Sequence, residues 1–182
     1  KKDYKSMSRY MSSVFFANAG IALLLLPVIV FFVINLGNFI NLPVGAEWDV
    51  KLLFLLIFVG FTINLPGGCF YSATYAANRL DKANISSLIS SILRISVLML
   101  MLIVLSPHVW YVGFASLLCT LYLIAAYYHY QRKFIPQIKI SKKNFCWKTV
   151  KELVVIGLWN SVSQLSQILL NGLDLVIANV LV

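Results

Sequence analysis

The chain has 182 residues, of which 60% are hydrophobic and 12% charged, and its formal net charge is +9. A mean hydropathy of +0.87 leaves too little polar side-chain surface to coat a soluble domain of this size, so an integral membrane chain is implied. The sequence opens on Lys1-Lys2-Asp3 with no cleavable signal pattern and stops inside an apolar run at Val182, and it reads as a segment of a longer, transporter-sized protein.

Five apolar stretches approach or exceed the roughly 20 residues needed to cross a hydrocarbon core of about 30 Å. They run from Val14 to Leu36, Leu52 to Tyr71, Ile85 to Val104, Val109 to Tyr128 and Leu153 to Val182. The pattern predicts an all-α, polytopic membrane helix bundle. The fifth stretch is long, so its approach from Trp147 to Ile156 is expected to lie along the interface before the helix turns inward. In the second, Asn64-Leu65-Pro66-Gly67-Gly68 predicts a kink or break, because Pro66 lacks an amide donor. Pro27 in the first is read as structural in the same way.

The basic residues sort by loop. Lys1, Lys2, Lys5 and Arg9 precede the first span, Arg79 and Lys82 separate the second from the third, and seven more, from Arg132 to Lys151, precede the fifth. The loops on the other side hold Lys51 alone, with Glu47 and Asp49. The positive-inside rule then makes residues 1–10, 79–84 and 129–151 cytoplasmic. The linker 129–151 is basic and aromatic, which suits it to the anionic inner leaflet, and it separates four closely connected spans from the fifth. No folded soluble module accompanies the charge, so a nucleic-acid partner is not expected.

Arg94 belongs to no loop. It lies near the middle of the third span, about 14 Å from Ile85 at 1.5 Å per residue, where a guanidinium needs a partner or water. Ser87, Ser90 and Ser91 lie one and two turns before it and extend a polar track towards the basic end. Two readings stay open for Arg94: a structural cation clamped to carbonyls or to Asp174, or a site for an anionic head group.

In the fifth span, Asn160, Gln164, Gln167, Asn171 and Asp174 alternate spacings of four and three, which at about 100° per residue puts them on one helical face. Hydrocarbon cannot hydrogen-bond four amides and a carboxylate, so this stripe must meet other helices or a water-filled cavity. Asp174 could pair with Arg94, carry a coupling proton or bind Na⁺. Trp48, Trp110, Tyr111, Tyr127, Tyr128, Tyr130 and Trp147 read as interfacial aromatic belts. His108 and His129 are isolated in sequence, and Cys69, Cys119 and Cys146 are scattered, so neither a metal site nor a disulfide framework is expected. No clustered carboxylates or large extramembrane loop point to catalysis, so no catalytic residue and no cofactor are expected.

The order of several motifs resembles that of the Wzx-type flippases for lipid-linked oligosaccharides, within the multidrug/oligosaccharidyl-lipid/polysaccharide exporter superfamily. The motifs are PGGCFYSATYAANRLDKAN from Pro66 to Asn84, a helix opening at Ile85 and bearing Arg94-Ile95, Phe134-Ile135-Pro136, and Glu152-Leu153 leading through Gly157-Leu158-Trp159-Asn160 to Leu173-Asp174. The resemblance implies about a dozen helices in two six-helix bundles. Residues 1–128 would supply the last four helices of the first bundle, 129–151 the connection, and 152–182 the opening helix of the second.

It further implies alternating access in a bacterial cytoplasmic membrane. The partners would be a polyprenyl-pyrophosphate-linked oligosaccharide, membrane lipids and a coupling H⁺ or Na⁺. Arg94 would face pyrophosphate or acidic sugars, and the stripe from Asn160 to Asp174 would line the path for sugar hydroxyls. A multidrug exporter of the same superfamily and an integral membrane polysaccharide-assembly enzyme are the alternatives.

Overall fold

The computed structural model describes residues 4–40 and 45–181, with side chains described through Ser166. Among these the regular secondary structure is all helical, with no strand. The helices are α1 (Tyr4–Ile34), α2 (Leu36–Phe39), α3 (Glu47–Gly67), α4 (Ser72–Ala76), α5 (Leu80–Val104), α6 (Tyr111–Phe134) and α7 (Trp147–Leu181). Short 3-10 segments lie at Gly68–Tyr71 and Lys142–Asn144. Among the described residues, four stretches are long and apolar enough to cross a bilayer: Tyr4–Ile34, Glu47–Ala76, Leu80–Val104 and Tyr111–Phe134.

Burial is inverted relative to a soluble protein. Leu24, Phe31, Ile103 and Val104 are exposed, while Ser8, Ser12, Ser13, Thr62, Thr74, Ser86 and Ser90 are buried. Lipid tails are as apolar as leucine, so helices in a bilayer associate through small and hydrogen-bonding residues and leave their large apolar side chains outside.

Helix α6 packs against both α3 and α5, and α3 packs in turn against α1. The α3–α6 seam depends on two glycines. A Cβ at Gly113 would stand 2.9 Å from the Leu53 carbonyl oxygen, and one at Gly67 would stand 2.6 Å from the Ile124 side chain. Only the missing side chain lets the backbones approach so closely.

The structure revises several sequence expectations. The break expected around Pro66 falls just after it, where α3 ends at Gly67. The chain stays right-handed and tightens to 3-10 geometry at Gly68, and Asn18 Nδ2 donates to the Leu65 carbonyl at 3.0 Å beside this change. A side-chain donor is an accepted way to satisfy a carbonyl where helical geometry changes in a membrane. The turn to α5 is a Schellman motif. Asn78 adopts φ 52°, with Arg79 N–H donating to Thr74 O at 2.8 Å and Asn78 N–H to Tyr75 O at 2.9 Å.

The segment from Trp147 to Ile156 is not a separate interfacial element, since α7 runs unbroken from Trp147. Helix α6 continues to Phe134, so the non-helical connection to α7 is shorter than 129–151 and is interrupted by the Lys142–Asn144 turn. Tyr111 and Tyr127 do not join exposed aromatic belts. They are 3% and 9% exposed, held in the packing by hydroxyl contacts to the Ser106 carbonyl and to Ser87.

Candidate functional site

Because α3 and α5 flank α6, a groove of about 280 Å³ opens between them, with α6 as its floor. Asn64 enters from α3, Arg94 from α5, and Ser116 and Thr120 from α6, among Leu56, Phe61 and Leu117. Arg94 stands ten residues before the end of α5, about 15 Å along the axis. It is exposed and has no hydrogen-bond or ion-pair partner among the described residues.

The polar atoms around it are arranged unequally. Ser116 Oγ donates to Val112 O at 2.7 Å and Thr120 Oγ1 donates to Ser116 O at 3.0 Å. Each hydroxyl hydrogen is thereby used within α6, which leaves the oxygen lone pairs as acceptors. Asn64 adds both a donor and an acceptor, and the Arg94 guanidinium supplies donors only. The groove can therefore bind an anion at Arg94 and hydroxyl groups at Ser116 and Thr120. Its described lining contains no carboxylate.

The serine track on α5 divides into two. Ser86 and Ser90 are buried against α6, where Ser86 Oγ donates to Tyr130 Oη at 3.3 Å and Cys119 Sγ donates to the Ser90 carbonyl at 3.2 Å. Ser87 and Ser91 are exposed beside that seam. Ser87 Oγ lies 3.4 Å from Tyr127 Oη, and Ser91 Oγ donates back to Ser87 O at 3.0 Å. Ser90 thus serves helix packing, whereas Ser87, Ser91 and Arg94 share the open edge.

Asn160 and Gln164 are exposed on α7, which packs on α1, and no described residue lining the Arg94 groove comes from α7. The side chains of Gln167, Asn171 and Asp174 lie outside the described residues. Asn64, Ser116 and Thr120 were missed as groove residues. The four-residue spacing of Ser116 and Thr120 was the available signal, but helical phase alone does not say which neighbour a face meets.

Two further polar clusters close the ends of the bundle. At the end remote from the basic loops, His108 Nδ1 lies 2.7 Å from Asp49 Oδ2 and His108 Nε2 lies 3.0 Å from Ser106 Oγ. His108 is therefore not isolated: it ties the α5–α6 loop to the first turn of α3.

At the basic end, Ser12 and Ser13 of α1 are fully buried and clasp the connection between α6 and α7. Ser12 Oγ accepts from Ser141 N–H at 3.2 Å. Ser13 Oγ accepts from Cys146 N–H at 3.0 Å and donates to Cys146 O at 3.4 Å. The Thr149 backbone N–H holds the Cys146 thiol below its ordinary range, with the Thr149 hydroxyl and Lys148 N–H adding to it. Nearby, the guanidinium of Arg79 is paired with Asp81 at 3.1 Å, which raises its pKa.

Four long apolar helices with an inverted distribution of buried residues define a polytopic helical membrane protein. Over 172 residues, 94% of this chain, the sequence is 27% identical to an uncharacterized membrane protein, EpsK, of Bacillus subtilis (strain 168). The chain spans about a third of that relative's length, 34%. No family model matches the chain, and no solved structure matches it.

Proposed function

We propose that this chain is part of a transporter that carries a polyprenyl-pyrophosphate-linked oligosaccharide repeat across a bacterial cytoplasmic membrane by alternating access. The observation that carries this reading is Arg94, which has no partner among the described residues, at mid-height in a groove that also presents Asn64, Ser116 and Thr120. An unpaired guanidinium at that depth is costly unless it meets an anion or water, and intramembrane charges tend to serve function. A phosphate group linking a sugar to a lipid suits a cation beside hydroxyl acceptors. The positive-inside rule places the basic end in the cytoplasm, where such a lipid would enter.

In this scheme the groove shields the head group while the lipid tail remains in hydrocarbon. The cargo shifts the inward and outward states only by its differential affinity for them. Asp174 is the proposed coupling site for H⁺ or Na⁺, and Asn160, Gln164, Gln167 and Asn171 the proposed hydroxyl-facing wall from the second bundle. The basic groove favours an anionic cargo over the cationic drugs of a multidrug exporter. The proposed role is transport, with no covalent step.

The test is complementation with the full-length gene in a cell lacking its own flippase, with surface polymer and lipid-linked repeat units measured together. Flipping predicts restored polymer and a cleared lipid intermediate. An unchanged intermediate at normal membrane abundance, across hosts with different repeat units, would overturn the reading. Drug resistance in those cells would favour the exporter.

A further inference from the structure

A second cavity, separate from the Arg94 groove, lies at the basic end between α1, the 3-10 turn after α3, the last turns of α6 and the connection to α7. Its volume is about 510 Å³. Phe15 and Phe70 form an apolar wall, and the exposed cations Arg132 and Lys139 stand on its lining. The described lining residues include no carboxylate, so these charges are not neutralised from within the site. Arg132 is held in place: its Nε donates to Tyr128 Oη at 3.0 Å, and its guanidinium lies 5.5 Å from the Tyr128 ring centroid. The two terminal nitrogens of that guanidinium remain available to an anion.

Gln131 supplies an independent observation. It lines the same cavity, is 3% exposed, and donates from Nε2 to Ile138 O at 3.4 Å. Its carboxamide oxygen has no hydrogen-bond partner among the described residues. A buried acceptor left without a donor is uncommon and calls for an explanation. The cavity therefore offers two cations, one unmatched acceptor and an aromatic wall.

We propose that this cavity binds the head group of an anionic phospholipid bearing a free hydroxyl, chemically a phosphatidylglycerol. The phosphodiester sits between Arg132 and Lys139. A glycerol hydroxyl donates to the Gln131 oxygen after a small rotation of the carboxamide, and the acyl chains leave along Phe15 and Phe70. Basic pockets between membrane helices are suited to such head groups, and each juxtamembrane cation changes lipid affinity by roughly fivefold. The site is independent of the transported cargo, so it stands or falls separately from the proposed function.

The test uses the full-length protein in detergent micelles doped with phosphatidylglycerol or phosphatidylcholine, with retained lipid counted by native mass spectrometry. Phosphatidylglycerol should be retained roughly 25-fold better, because two cations each contribute roughly fivefold. The double substitution Arg132→Gln with Lys139→Gln should abolish that preference. Lys142→Gln with Lys143→Gln, an equal loss of charge outside the cavity lining, should leave it intact. Gln131→Met should weaken retention of phosphatidylglycerol but not of phosphatidic acid, which lacks the glycerol hydroxyls. Equal retention of the two lipids, equal losses in the two double variants, or displacement by soluble glycerol 3-phosphate at matching concentration would overturn the proposal.

Discussion

The basic end of the bundle and the groove at its middle are built from similar residues, yet they use their polar atoms in opposite ways. At the basic end Ser12, Ser13 and Ser86 are buried and hydrogen-bonded, and they knit α1, α5 and the α6–α7 connection to their neighbours. In the groove Arg94 is unpaired among the described residues, and Ser116 and Thr120 satisfy only their own helix. Polar groups with fixed protein partners hold helices together, whereas polar groups left open on a packed scaffold are free to meet a ligand.

Substitution at Arg94 tests this contrast most strongly. Arg94→Gln should lower export more than tenfold at equal membrane abundance, because a hydrogen bond to a charged group contributes about 1.5–3 kcal/mol. Arg94→Lys should retain an intermediate level. Equal loss in both variants would instead assign Arg94 to a structural fork that needs guanidinium geometry.

Next in size is the scaffold that forms the groove floor. Gly113→Leu should destabilise the solubilised protein by about 1–3 kcal/mol through overpacking against Leu53 and Leu56. Gly60→Ala is the matched control. Its added Cβ meets nothing nearer than 3.6 Å, so its melting temperature should stay close to that of the parent. A large loss there would show that the groove wall is packed as tightly as the seam.

The clasp at the basic end should give a smaller, local effect. Ser12→Ala with Ser13→Ala leaves the Ser141 and Cys146 amides without their acceptors, each worth about 1 kcal/mol. Amide hydrogen exchange should accelerate in the connection before α7 while α3 and α6 stay protected. Uniform acceleration would mean that the clasp supports the whole bundle. The weakest effect is expected at the opposite end, where the His108–Asp49 pair is partly exposed. His108→Ala should cost about 0.2–1 kcal/mol by thermal unfolding, the range for exposed pairs.

Several residues show how far the linear pattern carried. Arg94 was legible as an intramembrane charge because a single basic residue inside an apolar run is a local signal. The serines before it were read as one track, yet Ser90 faces α6 while Ser87 and Ser91 do not. A rotation of about 100° per residue separates them, and only the position of α6 gives that angle a meaning. His108 and Asp49 lie 59 residues apart, so their pairing left no trace in local spacing. Tyr111 and Tyr127 have the composition of interfacial anchors, but they are buried by neighbours on other segments.

Composition and hydrophobic run length determined by themselves that this is a membrane-embedded helical chain, because every backbone amide in hydrocarbon must bond within its own segment. They also located the charged and amide residues that a bilayer tolerates poorly. Tertiary structure decided which of those residues share a surface. With no hydrophobic force to sort one apolar helix face from another inside lipid, the choice fell to small residues such as Gly67 and Gly113, which set how closely α3 and α6 meet. That approach, with α5 on the other side of α6, makes one groove from Asn64, Arg94, Ser116 and Thr120, four residues drawn from three helices.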